Sequence, residues 1–251
     1  MNSLRLAISF LTIIPVYGNR KAGEKDMADS LYFYPLTGIL IGLLLAAAAY
    51  LAEILSLGWA GDAIIIVVWI IITGALHLDG LMDSADGLFS GRDRERKLEI
   101  MRDSRVGAMG VISLVGLMLL KFSFLTTLTY IDKLGVLLIS PAVGRWAMVY
   151  AASYFPYARS GPGLGKSFGN LNGSGRIITA SLTILVATFL LMKWEGIFIL
   201  FLTAAIVLLI ARWMAGSLGG LTGDTYGALC EVAETLFILI TVIAMTLFAG
   251  I

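Results

Sequence analysis

Three aspartates, Asp79, Asp83 and Asp86, stand at spacings of four and three within the stretch His77–Gly91, which reads H-L-D-G-L-M-D-S-A-D-G-L-F-S-G. On a helix with about 3.6 residues per turn those spacings put all three on one face. Carboxylates so placed repel one another unless a cation holds them. Mg²⁺ does this with hard oxygen ligands, usually one or two carboxylates completed by phosphates and water. The chemistry to expect is metal-assisted phosphoryl transfer. Gly80, Ser84, Ala85 and Gly87 between the acids leave room for a bulky phosphorylated ligand close to the backbone. The plainer alternative is a solvated loop whose acids balance the cations that follow, Arg92, Arg94, Arg96, Lys97, Arg102 and Arg105. His77, the one histidine, is open to a ligand, proton-carrying or substrate-binding role, or to ordinary hydrogen bonding at a helix end.

A second polar group follows late in the chain: Gly219-Gly220-Leu221-Thr222-Gly223-Asp224-Thr225-Tyr226-Gly227-Ala228, then Glu231 and Glu234. Asp224 and Glu231 repeat the seven-residue interval of Asp79 and Asp86. Ionisable groups within a membrane span seldom lack a task. Asp224 and Glu231 are therefore expected to join Asp79, Asp83 and Asp86 across one cleft as metal ligands, with the glycines either exposing N–H groups to phosphate or forming a plain turn.

The elements that must position these acids are membrane helices. Of 251 residues, 59% are hydrophobic and only 14% charged, and the mean hydropathy is +0.91, which excludes a soluble globular protein. The formal charge of +1 is uninformative as a sum. The single cysteine, Cys230, excludes an internal disulfide or a cysteine-based metal cluster and reads as a small apolar filler. Seven apolar runs can cross a bilayer: roughly Leu31 to Leu55, Asp62 to Leu78, Gly107 to Ile131, Leu134 to Phe155, Ile177 to Met192, Ile197 to Gly216 and Ala228 to Gly250. They lack the alternation of barrel strands, so the expected fold is all-α, one polytopic helical bundle forming a single domain over residues 1–251. Met1 to Val16 is too short to span easily and reads as a retained interfacial or re-entrant segment stopped by Pro15.

Orientation follows the lysines and arginines. With the N-terminus inside, Arg5, Arg20, Lys21, Lys25, the six cations from Arg92 to Arg105, and Arg159, Lys166 and Arg176 are cytoplasmic, against Lys133 and Lys193 outside. The aspartates then lie at the cytoplasmic end of the second span, where carboxylates meet the negative end of the helix dipole. Lys121 and Arg145 fall near the middle of adjacent spans, where a lone cation costs about 2.5–3.5 kcal/mol on insertion scales. Each must face the bundle or a wet cavity, with Glu234 or the phosphate site as partner. Gly165-Lys166-Ser167 in the Gly/Ser-rich connector is no phosphate-binding loop of the nucleotide-hydrolase type: Ser160 occupies the first glycine position and no strand precedes it. That connector is expected either to close over an anionic substrate with Arg159, Lys166 and Arg176 or merely to link two spans.

Taken together, H-L-D-G-L-M-D-S-A-D-G-L, I-M-R-D-S-R-V-G-A-M-G, the late T-G-D-T-Y-G-A with its glutamate and the early F-L-T-I-I-P resemble the cobalamin synthase family, adenosylcobinamide-GDP ribazoletransferases. The resemblance runs from Phe10 to Glu231. It implies a Mg²⁺-dependent membrane enzyme late in coenzyme B12 assembly, joining adenosylcobinamide-GDP to α-ribazole or its 5′-phosphate and releasing GMP. In that setting Asp79, Asp83, Asp86, Asp224 and Glu231 would hold metal, and Asp86 or Asp224 would take the proton from the attacking hydroxyl. Arg102, Arg105, Lys166 and His77 would bind substrate. Ile13 stands where the family leads one to expect a basic residue, which bears on an N-terminal cation contact and not on the reaction. The resemblance implies a cytoplasmic (inner) membrane location and no nucleic-acid partner, and leaves a homo-oligomer open. Two other readings fit the sequence less well. The D-G-x2-A-R pattern of CDP-alcohol phosphotransferases is absent, since Met82-Asp83 occupy the Ala-Arg positions. An acid-lined secondary transporter or divalent-cation channel would need acids along a through-path, whereas these cluster towards one face.

Overall fold

The computed structural model describes residues 2–18, 22–159 and 174–248. Its elements are α1 (Asn2–Leu11), α2 (Glu24–Ser30), a 3₁₀ turn (Leu31–Phe33), α3 (Tyr34–Ile54), α4 (Trp59–Thr73), α5 (Leu76–Leu88), α6 (Arg94–Ile100), α7 (Ala108–Thr127), α8 (Tyr130–Tyr154), α9 (Ser174–Leu218) and α10 (Gly223–Phe248). Among the described residues there is no strand; Tyr157 and Leu221 form an isolated parallel bridge. The chain is a polytopic helical bundle, as its composition requires.

Helix α8 is the hub, buried along nearly its whole length from Val136 to Ala152. Its closest partner is α3, whose Gly38 and Gly42 lie against it so tightly that a Cβ would stand 2.4 Å from the Cα of Ala142 and 2.5 Å from the carbonyl oxygen of Leu138. Lipid offers little hydrophobic drive for helix pairing, so small residues four apart let backbones gain dispersion contacts directly. Because Gly38 meets Ala142 and Gly42 meets Leu138, the two helices are antiparallel.

Helix α9 is 45 residues long, about twice what a bilayer needs. It breaks at Lys193, whose backbone is non-helical (φ 54°, ψ −147°). Eight residues of continuous helix would separate Thr188 from Gly196 by about 12 Å, yet a Cβ on Gly196 would lie 2.9 Å from Thr188 Cγ2. The chain therefore doubles back. Gly175 meets Tyr32 ahead of α3, and Leu218 meets the segment just past α8 through Arg94. Both ends of α9 thus lie at the same end of the bundle. Five helical stretches are long and apolar enough to cross a membrane, six with α4 and α5 taken as one bent span. The expected seven is reached only where both arms of α9 cross.

The expected second span, Asp62 to Leu78, is not one rod. Helix α4 ends at Thr73, and Gly74 (φ 59°) and Ala75 (φ 58°) turn the chain by 90° into α5. The Ala75 N–H donates to the carbonyl of Ile70 at 3.1 Å, the wider bond of a Schellman ending. Ile13, just past α1, donates its N–H to Ile72 at 2.9 Å and so satisfies another carbonyl at that end. The N-terminal helix has ten residues, too few to cross; it packs Leu6, Ala7 and Leu11 into the bundle and delivers this brace.

Candidate functional site

Because the chain restarts a helix at Leu76, Asp79 lies in the first turn of α5. For Asp79 this corrects the expectation that the acids sit at the negative end of the span's dipole, since it meets the positive end of a new helix, which favours a carboxylate; Asp86, in the last turn of α5, is at the negative end as expected. Helix α5 buries His77, Gly80, Leu81, Ser84, Ala85 and Leu88, while Asp79 is exposed and Asp83 and Asp86 are half-buried. The shared face predicted from spacing is present.

The two acidic stretches meet. A Cβ on Gly80 would lie 2.7 Å from the carbonyl oxygen of Asp224, and one on Gly227 would lie 3.1 Å from the Cα of His77. Backbone contact between α5 and the start of α10 thus needs glycine on both sides. Asp224, Asp79 and Asp86 all repel the Asp83 carboxylate, and Arg159 attracts it. Asp83 is the centre of a negative cluster with one compensating guanidinium.

Asp86 is engaged differently from its neighbours. Its two carboxylate oxygens accept the N–H groups of Gly107 at 2.7 Å and Gly110 at 2.8 Å. These are orphan donors at the start of α7, so Asp86 caps that helix from another element. A Cβ at Gly107 or Gly110 would stand 2.4 or 2.6 Å from the same carboxylate, which is why both positions are glycine. Each of its oxygens gives one lone pair to a backbone N–H and keeps another, so the metal and base roles expected of Asp86 are neither met nor displaced by the cap.

Asp224 Oδ2 accepts from Arg159 Nη2 at 2.6 Å and from Thr222 Oγ1 at 3.3 Å. Arg159, which the sequence leaves open to closing over an anionic substrate or to a plain connector, is placed here by a stitch of backbone bonds: Ala158 N–H to Leu221 O at 2.8 Å and Leu221 N–H to Pro156 O at 2.9 Å. Arg94 reinforces it, donating Nε to Leu218 O at 2.7 Å and Nη2 to Ala158 O at 3.0 Å. Lys97 reaches Ser217 Oγ at 2.7 Å. These two cations of the basic segment serve the C-terminal end of α9, where the carbonyls point outwards.

Arg102 and Arg105 are exposed. Arg105 forks onto Asp103, with Nη2 to Oδ2 at 2.6 Å and Nε to Oδ1 at 3.0 Å. Those bonds hold the Asp103 carboxyl at about 2, below the ordinary carboxylate range. Arg105 therefore stands paired before any phosphate arrives. Lys166 lies outside the described residues.

Glu231 is not with the aspartates. Seven residues along α10, roughly 10 Å deeper, it accepts from Lys121 Nζ at 2.7 Å. Lys121 also donates to Glu234 at 2.7 Å, Glu234 accepts from Arg145, and Lys121 lies 4.2 Å over the Trp69 ring. Two cations and two carboxylates balance inside the bundle, the arrangement that buried charge demands. The expectation of Glu231 as a metal ligand is corrected accordingly. His77 belongs to the same network. Arg145 Nη2 stands 3.3 Å from His77 Nδ1; a guanidinium can only donate, so Nδ1 accepts and the ring proton is on Nε2. Buried to 1% exposure, His77 anchors the first turn of α5 and does not reach substrate, contrary to expectation.

Behind α5, on the side away from the aspartates, Leu81, Ser84 and Leu88 with Ile112, Trp213 and Val232 line a cavity of about 510 Å³ that contains no ionisable side chain. It offers nothing to a diphosphate.

Among the described residues, no group of three or more His, Cys, Asp or Glu side chains converges to hold a metal ion. Mg²⁺ does not require such a cage, since it takes one or two carboxylates and completes its shell with phosphate oxygens and water. Asp79, Asp83 and Asp224 supply hard oxygen donors at a site of unbalanced negative charge, which fits that mode.

The chain matches a family model described as cobalamin-5-phosphate synthase over residues 3–242. It is 47% identical over 234 residues, 93% of each chain, to an adenosylcobinamide-GDP ribazoletransferase of Desulforamulus reducens. Proteins of the same name from Herpetosiphon aurantiacus (45% identical, 92% of each chain) and a Roseiflexus species (42%, covering 91% of this chain and 84% of the relative) are also similar. No solved structure matches it.

Proposed function

The chain belongs to the cobalamin-5-phosphate synthase family, and from that premise we propose that it joins adenosylcobinamide-GDP to α-ribazole, or its 5′-phosphate, with release of GMP. The observation that carries this is the meeting of α5 and α10, which gathers Asp79, Asp83 and Asp224 at one end of the bundle. Mg²⁺ held by one or two of these carboxylates, with phosphate oxygens and water completing its shell, would neutralise charge on the diphosphate and on the departing GMP. Asp83, facing three like charges, is the carboxylate with most to gain from a bound cation. Asp224, with one oxygen given to Arg159 and Thr222, keeps the other to accept the proton of the attacking ribazole hydroxyl. Arg102 and Lys166 are the cations we assign to phosphate approach. Arg105 would have to leave Asp103 to join them.

The arrangement supports an enzyme over an ion pathway. The acids deeper in the bundle, Glu231 and Glu234, are already neutralised by Lys121 and Arg145, so among the described residues no chain of free carboxylates leads onward from the aspartates. We place the protein in the cytoplasmic membrane with its N-terminus and aspartates on the cytoplasmic side, from the balance of lysine and arginine.

The test is GMP release by purified protein in liposomes given both substrates, with and without Mg²⁺. Wild type should require all three, and Asp83→Asn should lose at least about 100-fold in rate while remaining folded. This range is what loss of one preorganised electrostatic contact to a transition state commonly costs. Absence of GMP from folded wild type with Mg²⁺ or Mn²⁺ would sink the proposal.

A further inference from the structure

We propose that Arg159 is a substrate-binding residue of this site, the guanidinium that receives the diphosphate; this rests on the transferase reading above. Its present partners occupy it incompletely. A single nitrogen, Nη2, serves both Asp224 Oδ2 at 2.6 Å and the Met101 carbonyl at 3.3 Å. Nε is buried and, among the described residues, has no hydrogen-bond partner. A guanidinium has five donors in a planar fork suited to phosphate oxygens, and a buried donor without an acceptor is an anomaly that a ligand resolves.

Position strengthens the case. Arg159 is the cation that the Asp83 carboxylate feels most directly, and its side chain is only 15% exposed. It is held there by Ala158, which is tied by its N–H to Leu221 and by its carbonyl to Arg94. The residue is therefore aimed at the aspartates by its backbone. By contrast, Arg105 is 88% exposed and bound to Asp103.

The inference is an exchange of partners with no covalent step. Without ligand, Arg159 neutralises Asp224. With a diphosphate bound, the Arg159 fork would turn to phosphate oxygens, which would free Asp224 Oδ2 to help hold a divalent cation. Net charge at the site is conserved, and the orphaned Nε gains an acceptor.

The experiment measures GDP binding with Mg²⁺ to detergent-purified wild type, Arg159→Ala and Arg159→Lys, beside steady-state kinetics with both substrates. Arg159→Ala should weaken GDP by about 10- to 100-fold, the span of one to two charge-assisted hydrogen bonds. It should raise KM for the diphosphate substrate while KM for α-ribazole holds. Arg159→Lys keeps the charge without the fork and should fall between; it carries the test where the alanine variant fails to fold. A purely structural arginine would instead lower thermal stability and shift both KM values together. Unchanged GDP affinity and unchanged KM in a folded variant overturn the inference while leaving wild-type turnover intact. Wild type that binds GDP through Arg159 yet releases no GMP from the two substrates overturns the transferase reading alone.

Discussion

Replacing Asp86 by asparagine separates a cap from a catalyst. The carboxylate accepts from Gly107 and Gly110, one oxygen each. Asparagine keeps one acceptor, turns an NH₂ towards the other N–H, and removes the charge that complements the start of α7. One hydrogen bond to a charged group is worth about 1.5–3 kcal/mol, and the lost helix-dipole term adds about 0.3–1 kcal/mol. A destabilisation of about 2–4 kcal/mol follows, which for a chain of this size lowers Tm by about 4–16 °C. The assay is thermal unfolding in detergent, with GMP release measured at a temperature where wild type and variant are both folded. There the variant should keep activity within about tenfold of wild type. Gly110→Ala, which leaves the carboxylate in place but sets a Cβ 2.6 Å from it, should lower Tm in the same way. An Asp86→Asn protein as stable as wild type but inactive by a thousandfold would refute the reasoning and return Asp86 to the metal or the proton.

Two further outcomes test the frame behind the site. Lys121→Met leaves Glu231 and Glu234 sharing one arginine in the interior, and should destabilise by about 3–5 kcal/mol; adding Glu231→Gln, which restores charge balance, should recover most of that loss in the same unfolding assay. Gly42→Leu puts side-chain atoms where the α8 backbone runs, 2.5 Å from the Leu138 carbonyl even for a Cβ. Separation of α3 from α8 should then exceed the usual overpacking cost of about 1–3 kcal/mol, read as loss of folded protein on extraction.

The aspartate face and the adjoining late acidic loop were legible because spacing is a local property: intervals of four and three share a face on any helix. What each carboxylate does was not, because it depends on which element packs against that face. Asp86 differs from Asp83 only by a neighbour 21 residues away, the α7 start. The one signal for it was the pair of glycines at 107 and 110, read with the membrane span rather than as clearance for a cap. In the same way Gly38 and Gly42, four apart in an apolar run, mark the α3–α8 contact and went unread.

The break at Gly74 and Ala75 was concealed by hydropathy, which sums apolar residues without regard to direction. Ala75 gives no sign of its positive φ, since only glycine advertises that conformation. Yet this break does the most for function. Had α4 continued straight through Leu78, Asp79 would face the negative end of a long dipole, with no means of bringing Gly80 onto Asp224. By stopping at Thr73 and restarting at Leu76, the chain gives Asp79 a fresh helix start, with Ile13 bracing one side of the turn and His77, through Arg145 and Glu234, tying down the other. The interior charges that looked like candidate ligands thus act as the mount for the carboxylates that remain free. The division follows from electrostatics: carboxylates that lie deep must be neutralised by the protein itself, and only those at the end of the bundle can leave that task to a ligand.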